Sequence, residues 1–185
     1  MQQIDTFLTN LPPDNGPFPA IAPAVQEKYA SRVPAFLIDI WKNNGICSFG
    51  KGFIWTVNPD DYTDIVPKFG AQYKDAVAVL RSGIGTVFFK HGHEYLFFDP
   101  VYLDVSSLQE VPLEIIMNYT IADKRPANEL FYQKLYEQAL KRLGPPAFDE
   151  CFAFVPAIAL GGEMSVENLQ KMKLKEQLIL LTQLM

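Results

Sequence analysis

Two histidines, two cysteines, a run of aspartates and a double glycine are the residues whose types and spacing could do chemistry in this chain. His91 and His93 stand as His-Gly-His, which could begin a metal site, but zinc takes three or four ligands and neither Cys47 nor Cys151 is near in sequence. A solvated hairpin tip turning at His91-Gly92 accounts for the pair better. A cysteine-histidine nucleophile would need an activating loop, and nothing like a nucleophile elbow surrounds either thiol. Both cysteines are expected as small buried hydrophobes in a reducing compartment.

Asp60, Asp61 and Asp64 have the composition of a magnesium site or a carboxylate pair. They also follow Asn58 and Pro59, an N-cap and a first helical residue, where acids favour the positive end of a helix dipole. The double glycine of "ALGGEMSVEN" lacks the Gly-x-Gly-x-x-Gly or Gly-Lys-Ser/Thr context of a phosphate cradle, and Glu163 stands where the phosphate would sit. It is expected to be a turn with positive φ. The aromatic stretch "TVFFKHGHEYLFF" fits the two faces of a sheet better than a base-stacking platform. The expectation is therefore no catalytic set, no metal and no cofactor.

The elements that must hold these residues follow from periodicity and punctuation. "QQIDTFLTN" puts Ile4, Phe7 and Leu8 on one helical face. Five prolines and an Asn-Gly between residues 11 and 23 exclude regular structure there. Helices are predicted from Pro23 and from Pro34, the second ending at Gly45 with Phe36, Leu37, Ile40 and Trp41 facing the core. A strand at 53 to 57 leads into a helix capped by Asn58. Three further strand segments follow: "AVAVLRS", the hairpin "GTVFFKHGHEYLFFDP", and "YLDVSS". From Val111 the chain turns helical, first "PLEIIMNYT" and then one long helix capped by Asn128 and stopped by Gly144-Pro145-Pro146. "CFAFVPAIAL" is strand-like, "ENLQKMKL" fits a strand or a helix start, and "KEQLILLTQL" is a final helix.

The fold class expected is α+β: a mostly antiparallel sheet with helices from the N- and C-terminal parts, two regions packed as one compact unit. With 185 residues and 49% hydrophobic composition, the chain can bury a core without disulfide or metal. A formal charge of -5 argues against direct nucleic-acid binding, which needs a basic footprint. No run approaches the ~18 apolar residues of a membrane span. The N-terminus lacks the basic start and apolar stretch of a signal peptide, so a cytoplasmic location is expected.

Two stretches carry a family resemblance. "VPAFLIDIWKNNGICSFGKGFIWTVNPDDY" resembles the GAD-like family in its helix ending in Trp, its Gly-rich turn and its aromatic strand ending in Asn-Pro-Asp-Asp-Tyr. "LYEQALKRLGPPAFDECFAFVPAIALGGEMSVENLQKMKLKEQLILLTQL" is similar to the second domain that follows GAD-like regions. The resemblance implies a GAD-like region at 1 to 110 and a C-terminal domain at 111 to 185. It further implies a non-enzymatic immunity protein that binds and inhibits a DNase toxin delivered by a type VI secretion system. An interaction scaffold of the same fold without a toxin is the alternative. Acids beside aromatics would steer and anchor a basic nuclease. Two places offer that mixture: Asp60, Asp61, Tyr62 and Asp64, and a hairpin tip expected to expose His93, Glu94 and Tyr95.

Overall fold

The computed structural model describes residues 2–185. After one 3-10 turn, helix α1 spans Asp5–Asn10 and buries Phe7. The proline-rich segment that follows runs alongside the first strand without regular structure of its own. Helix α2 (Pro23–Tyr29) begins on Pro23 and α3 (Ala35–Asn44) directly after Pro34, its N-cap residue, and α3 is closed by Gly45, whose N–H donates to Trp41 O at 3.1 Å. Phe36, Leu37, Ile38 and Trp41 are buried.

Six strands then form one antiparallel sheet in chain order: β1 (Ser48–Phe49), β2 (Ile54–Thr56), β3 (Val77–Ser82), β4 (Val87–His91), β5 (Glu94–Asp99) and β6 (Asp104–Ser107). The β4–β5 hairpin closes on a two-residue turn, Gly92-His93, with His91 paired to Glu94. Strand alternation sends neighbouring side chains to opposite faces, and both faces are covered. Phe88, Tyr95 and Phe97 join the helices in one core, while Phe89, Leu96 and Phe98 join Val57, Tyr62, Ile65 and Phe69 in another. This explains why β3, β4 and β5 read as nearly continuous apolar runs rather than alternating ones.

The C-terminal part comprises α4 (Leu113–Ile115), a π turn (Ile116–Ile121), α5 (Lys124–Phe131), α6 (Gln133–Leu143), the β7–β8 pair (Glu150–Phe154 with Leu169–Lys173) and α7 (Leu174–Thr182). It interlocks with the sheet. Gly83 at the end of β3 donates to Phe53 O and accepts from Phe152 N–H, both at 2.7 Å. Tyr136 of α6 lies so close that a Cβ on Gly83 would come within 2.2 Å of its ring. The Tyr136 hydroxyl donates to Lys51 O at 2.6 Å. Leu174, Leu178 and Leu181 of α7 seal the second core.

Four expectations need correction. No α-helix follows Asn58: the chain makes three 3-10 turns, Pro59–Tyr62, Val66–Phe69 and Ala71–Tyr73, because Pro67 and Gly70 interrupt any longer ladder. Asn58 does cap the first of them, accepting from Asp60 N–H at 3.2 Å. The long helix is two helices broken at Tyr132, which takes a left-handed conformation while its hydroxyl donates to buried Asp99 at 2.7 Å. Asp123 caps α5, and Asn128 instead satisfies Lys134 N–H at the start of α6. "PLEIIMNYT" forms only a short α segment before the π turn, which aims Asn118 at the backbone of Gln3 and Phe7. Finally, β7 stops at Phe154, since Pro156 has no N–H to continue a ladder, and residues 169 to 173 adopt the strand alternative. The double glycine is a turn, with Gly161 at φ +84°.

Candidate functional site

The 59–64 turn packs on β3, and beside it opens a pocket of about 210 Å³ whose walls come from both parts of the chain. Val57, Asn58, Asp61, Tyr62 and Ile65, buried Arg81, and Phe148, Leu174, Lys175 and Leu178 of the C-terminal part are among the residues that line it. Arg81 is 1% exposed. Its guanidinium lies 4.6 Å over the Trp55 ring, the cross-strand neighbour in β2, and donates to Phe148 O at 2.8 Å. Longer contacts reach Ala147 O and Ser82 O. No carboxylate of a described residue pairs with it. Burial pushes its pKa down, an effect opposed most by nearby Tyr62. Arg81 therefore ties the segment before β7 to the sheet, with ring and carbonyls in place of a counter-ion. In the sequence it is one charge inside the apolar run "AVAVLRS", and that isolation is the one local signal for it.

The acids of the turn have separate fates. Asp60 accepts from Lys28 at 2.5 Å and from the Tyr29 hydroxyl at 2.7 Å, and the Lys28 bond holds its carboxyl below the usual range. Asp64 pairs with Lys175 of α7 at 3.0 Å. Asp61 stands at the pocket rim, where partial desolvation raises its pKa although Lys175 pulls the other way. Tyr62 is buried beneath them, and burial pushes its hydroxyl up to about 12.

At the hairpin, His93 and Glu94 are exposed. Tyr95 is not: at 5% exposure it belongs to the helix-side core, and the expected exposure is corrected. The reason is strand parity, since the first residue past Glu94 points back into the sheet. Burial raises its hydroxyl to about 12. The fold does not join the two places. Lys90 beside the hairpin pairs with Val77 at one end of β3, whereas Arg81 lies toward the other end. His91 packs edge-on against Tyr73 at 5.4 Å. Cys47 and Cys151 are both buried, and desolvation raises both thiols, that of Cys151 to about 12, which suppresses thiolate chemistry.

The family model of the GAD-like domain matches residues 2–95, half of the chain, and the chain belongs to the GAD-like family. Residues 119–185 match the family model described as the C-terminal domain of the T6SS immunity protein Tdi1. Together the two matches support an immunity role, with a toxin protein as the partner. No curated protein matches the chain. Among solved structures it is similar to the crystal structure of Atu4351 from Agrobacterium tumefaciens, at 18% identity and TM-score 0.78, over 97% of this chain and 88% of that one. That likeness concerns the fold. Among the described residues no helix is long and apolar enough to cross a membrane.

Proposed function

We propose that this chain is a cytoplasmic immunity protein that binds a DNase toxin delivered by a type VI secretion system and inhibits it without turnover. The observation that carries the reading is the pair of family matches on one chain, GAD-like at 2–95 and Tdi1-like at 119–185. We place the division between the two regions near residue 110. A nuclease needs a basic groove for its substrate, and a partner of net charge -5 is attracted to such a surface. The contacting residues we assign are Asp60, Asp61 and Asp64 on the turn and His93 and Glu94 on the hairpin. Tyr62 and Tyr95 support them from inside the fold.

The test is co-expression with any toxin candidate encoded beside this chain, scoring survival and co-purification. Cells should survive with intact DNA, and the two chains should elute together. If they survive while DNA is untouched by the toxin alone, the toxin has another target. If the chain neither rescues nor binds, the immunity reading fails.

A further inference from the structure

The two edges of the six-stranded sheet are finished differently. At β1 the chain covers its own edge: Pro13 bridges Phe49, Asp14 N–H donates to Ser48 O, and Gly50 N–H donates to Pro12 O, the last two at 2.9 Å. At β6 no described segment does the same. Leu108 N–H donates to Tyr95 O at 2.7 Å, which fixes the hydrogen-bonding phase of the ladder toward β5. With Phe97 opposite Ser106 as the next such pair, Val105 and Ser107 turn their N–H and C=O groups outward. Such a row is a template for another strand, and natural folds normally blunt it.

The surroundings of this edge specify what could pair with it. Glu94, Asp104 and Glu110 are exposed around it and none forms an ion pair with a described residue. Tyr102 stands 69% exposed just before the strand. Two of the four described non-glycine residues with positive φ, Leu103 at +56° and Gln109 at +60°, bracket β6. Strain of that kind persists only where the surroundings hold it.

We propose that the outer edge of β6 receives an extended, basic segment of the toxin as a seventh strand, with Tyr102 as an apolar anchor beside it. This rests on the immunity reading and adds the mode of binding to it. Main-chain bonds to Val105 and Ser107 hold the segment, and the flanking acids select basic side chains. A second copy of this chain is the wrong occupant, because edge-to-edge pairing would bring two acidic rims together.

Val105→Pro tests this directly. Proline there removes an outward N–H and leaves the bonds to β5 in place, a substitution edge strands tolerate. Val105→Thr keeps the N–H and serves as the control, and Ser107→Pro is the second variant should Val105→Pro misfold. The probe is the co-encoded toxin carrying an inactivating substitution. Both proline variants should lose about 10-fold to 100-fold in affinity while Val105→Thr binds as wild type does. The amides of Val105 and Ser107 should become protected from hydrogen exchange in the wild-type complex. Proline variants that fold and bind like wild type, or those two amides remaining unprotected, would overturn the proposal and leave the immunity reading standing. A wild type that binds no co-encoded toxin removes both. Sedimentation that finds a wild-type dimer dissociated by Val105→Pro gives the edge to self-association and overturns the proposal.

Discussion

The chain sets acids beside aromatics at 58–64 and again at 91–95, and the fold treats the two places differently. In the first, Asp60 holds Lys28 and Tyr29, Asp64 holds Lys175, and Asp61 leans on a pocket wall. These carboxylates fasten α2 and α7 to the turn. In the second, Glu94 has only a 3.4 Å contact from Ser107 Oγ, and His93 is open to solvent. Acid density alone therefore does not rank the two places as contact surfaces. What separates the two is whether the charge already has a partner, since an internally paired carboxylate must give up that partner before it can attract another protein.

If the turn is structural and the hairpin is free, perturbations on the turn side should act on folding and those on the hairpin side should not. The largest effect is expected from deleting residues 174–185. It removes the three leucines that close the second core and the lysine that pairs with Asp64. The remainder should be insoluble or molten, with no near-UV circular dichroism and no cooperative melt. A truncated protein that melts like wild type would erase the contrast.

Next comes Arg81→Ala. It strips the Phe148 and Ala147 carbonyls of a donor and removes a buried side chain that lines the pocket, which should cost roughly 3–5 kcal/mol in denaturant unfolding. Glu94→Lys, at the hairpin, should stay within about 0.5 kcal/mol. Equal costs for the two would contradict the division drawn here.

Within the turn, Asp60 and Asp61 should respond to pH in opposite directions. The depressed pKa of Asp60 means that its stabilisation is present above the unfolded value of about 3.9 and disappears as pH falls through the lower folded value. Asp60→Asn should therefore lower Tm by about 1–3 °C at neutral pH, with the gap closing in acid. Asp61 has a raised pKa, so its contribution is lost as pH rises through the folded value. Asp61→Asn should be neutral or slightly stabilising at pH 7. Melts of the two variants shifting together would show that the turn has no such internal asymmetry.

The smallest effects on stability, and the sharpest on recognition, belong to charge reversal at the hairpin. Association with the toxin should slow for Glu94→Lys by about 10-fold at low salt and lose much of its salt dependence. Asp61→Lys/Asp64→Lys should slow it less. Unaltered rates and salt slopes in both variants would remove these two surfaces from the interface.

Much of this architecture is legible in the sequence, and the reasons for the failures are physical. Pro23, Pro34 and Gly45 mark α2 and α3 because their effects are local to a turn or two. The β4–β5 hairpin is legible for the same reason. The break at Tyr132 is not, because the left-handed residue is held by a tertiary bond to Asp99, 33 positions away. The interior role of Arg81 was equally hidden: its partners are a ring on β2 and carbonyls 66 and 67 residues downstream, and no local pattern announces them. The inward position of Tyr95 turns on a single step of strand parity, which hydrophobicity alone does not fix when both faces of a sheet are buried. The open edge at β6 depends on strand order, which no local pattern in the chain encodes.

The junction at Gly83 bears on how such chains can be recombined. Its carbonyl and its missing Cβ are both used by the C-terminal part, through Phe152 and Tyr136. A hybrid that takes residues 1–118 from this chain and the remainder from a distant relative will fold only if the incoming half brings a ring that fits over a bare glycine. It must also bring a strand in register with it. Gly83→Ala should destabilise the parent strongly, and a smaller side chain at 136 should rescue it only in part, because the same Cβ would also meet the Gly52 carbonyl oxygen at 2.7 Å. Exchanging halves is therefore confined to donors whose C-terminal part accommodates this junction.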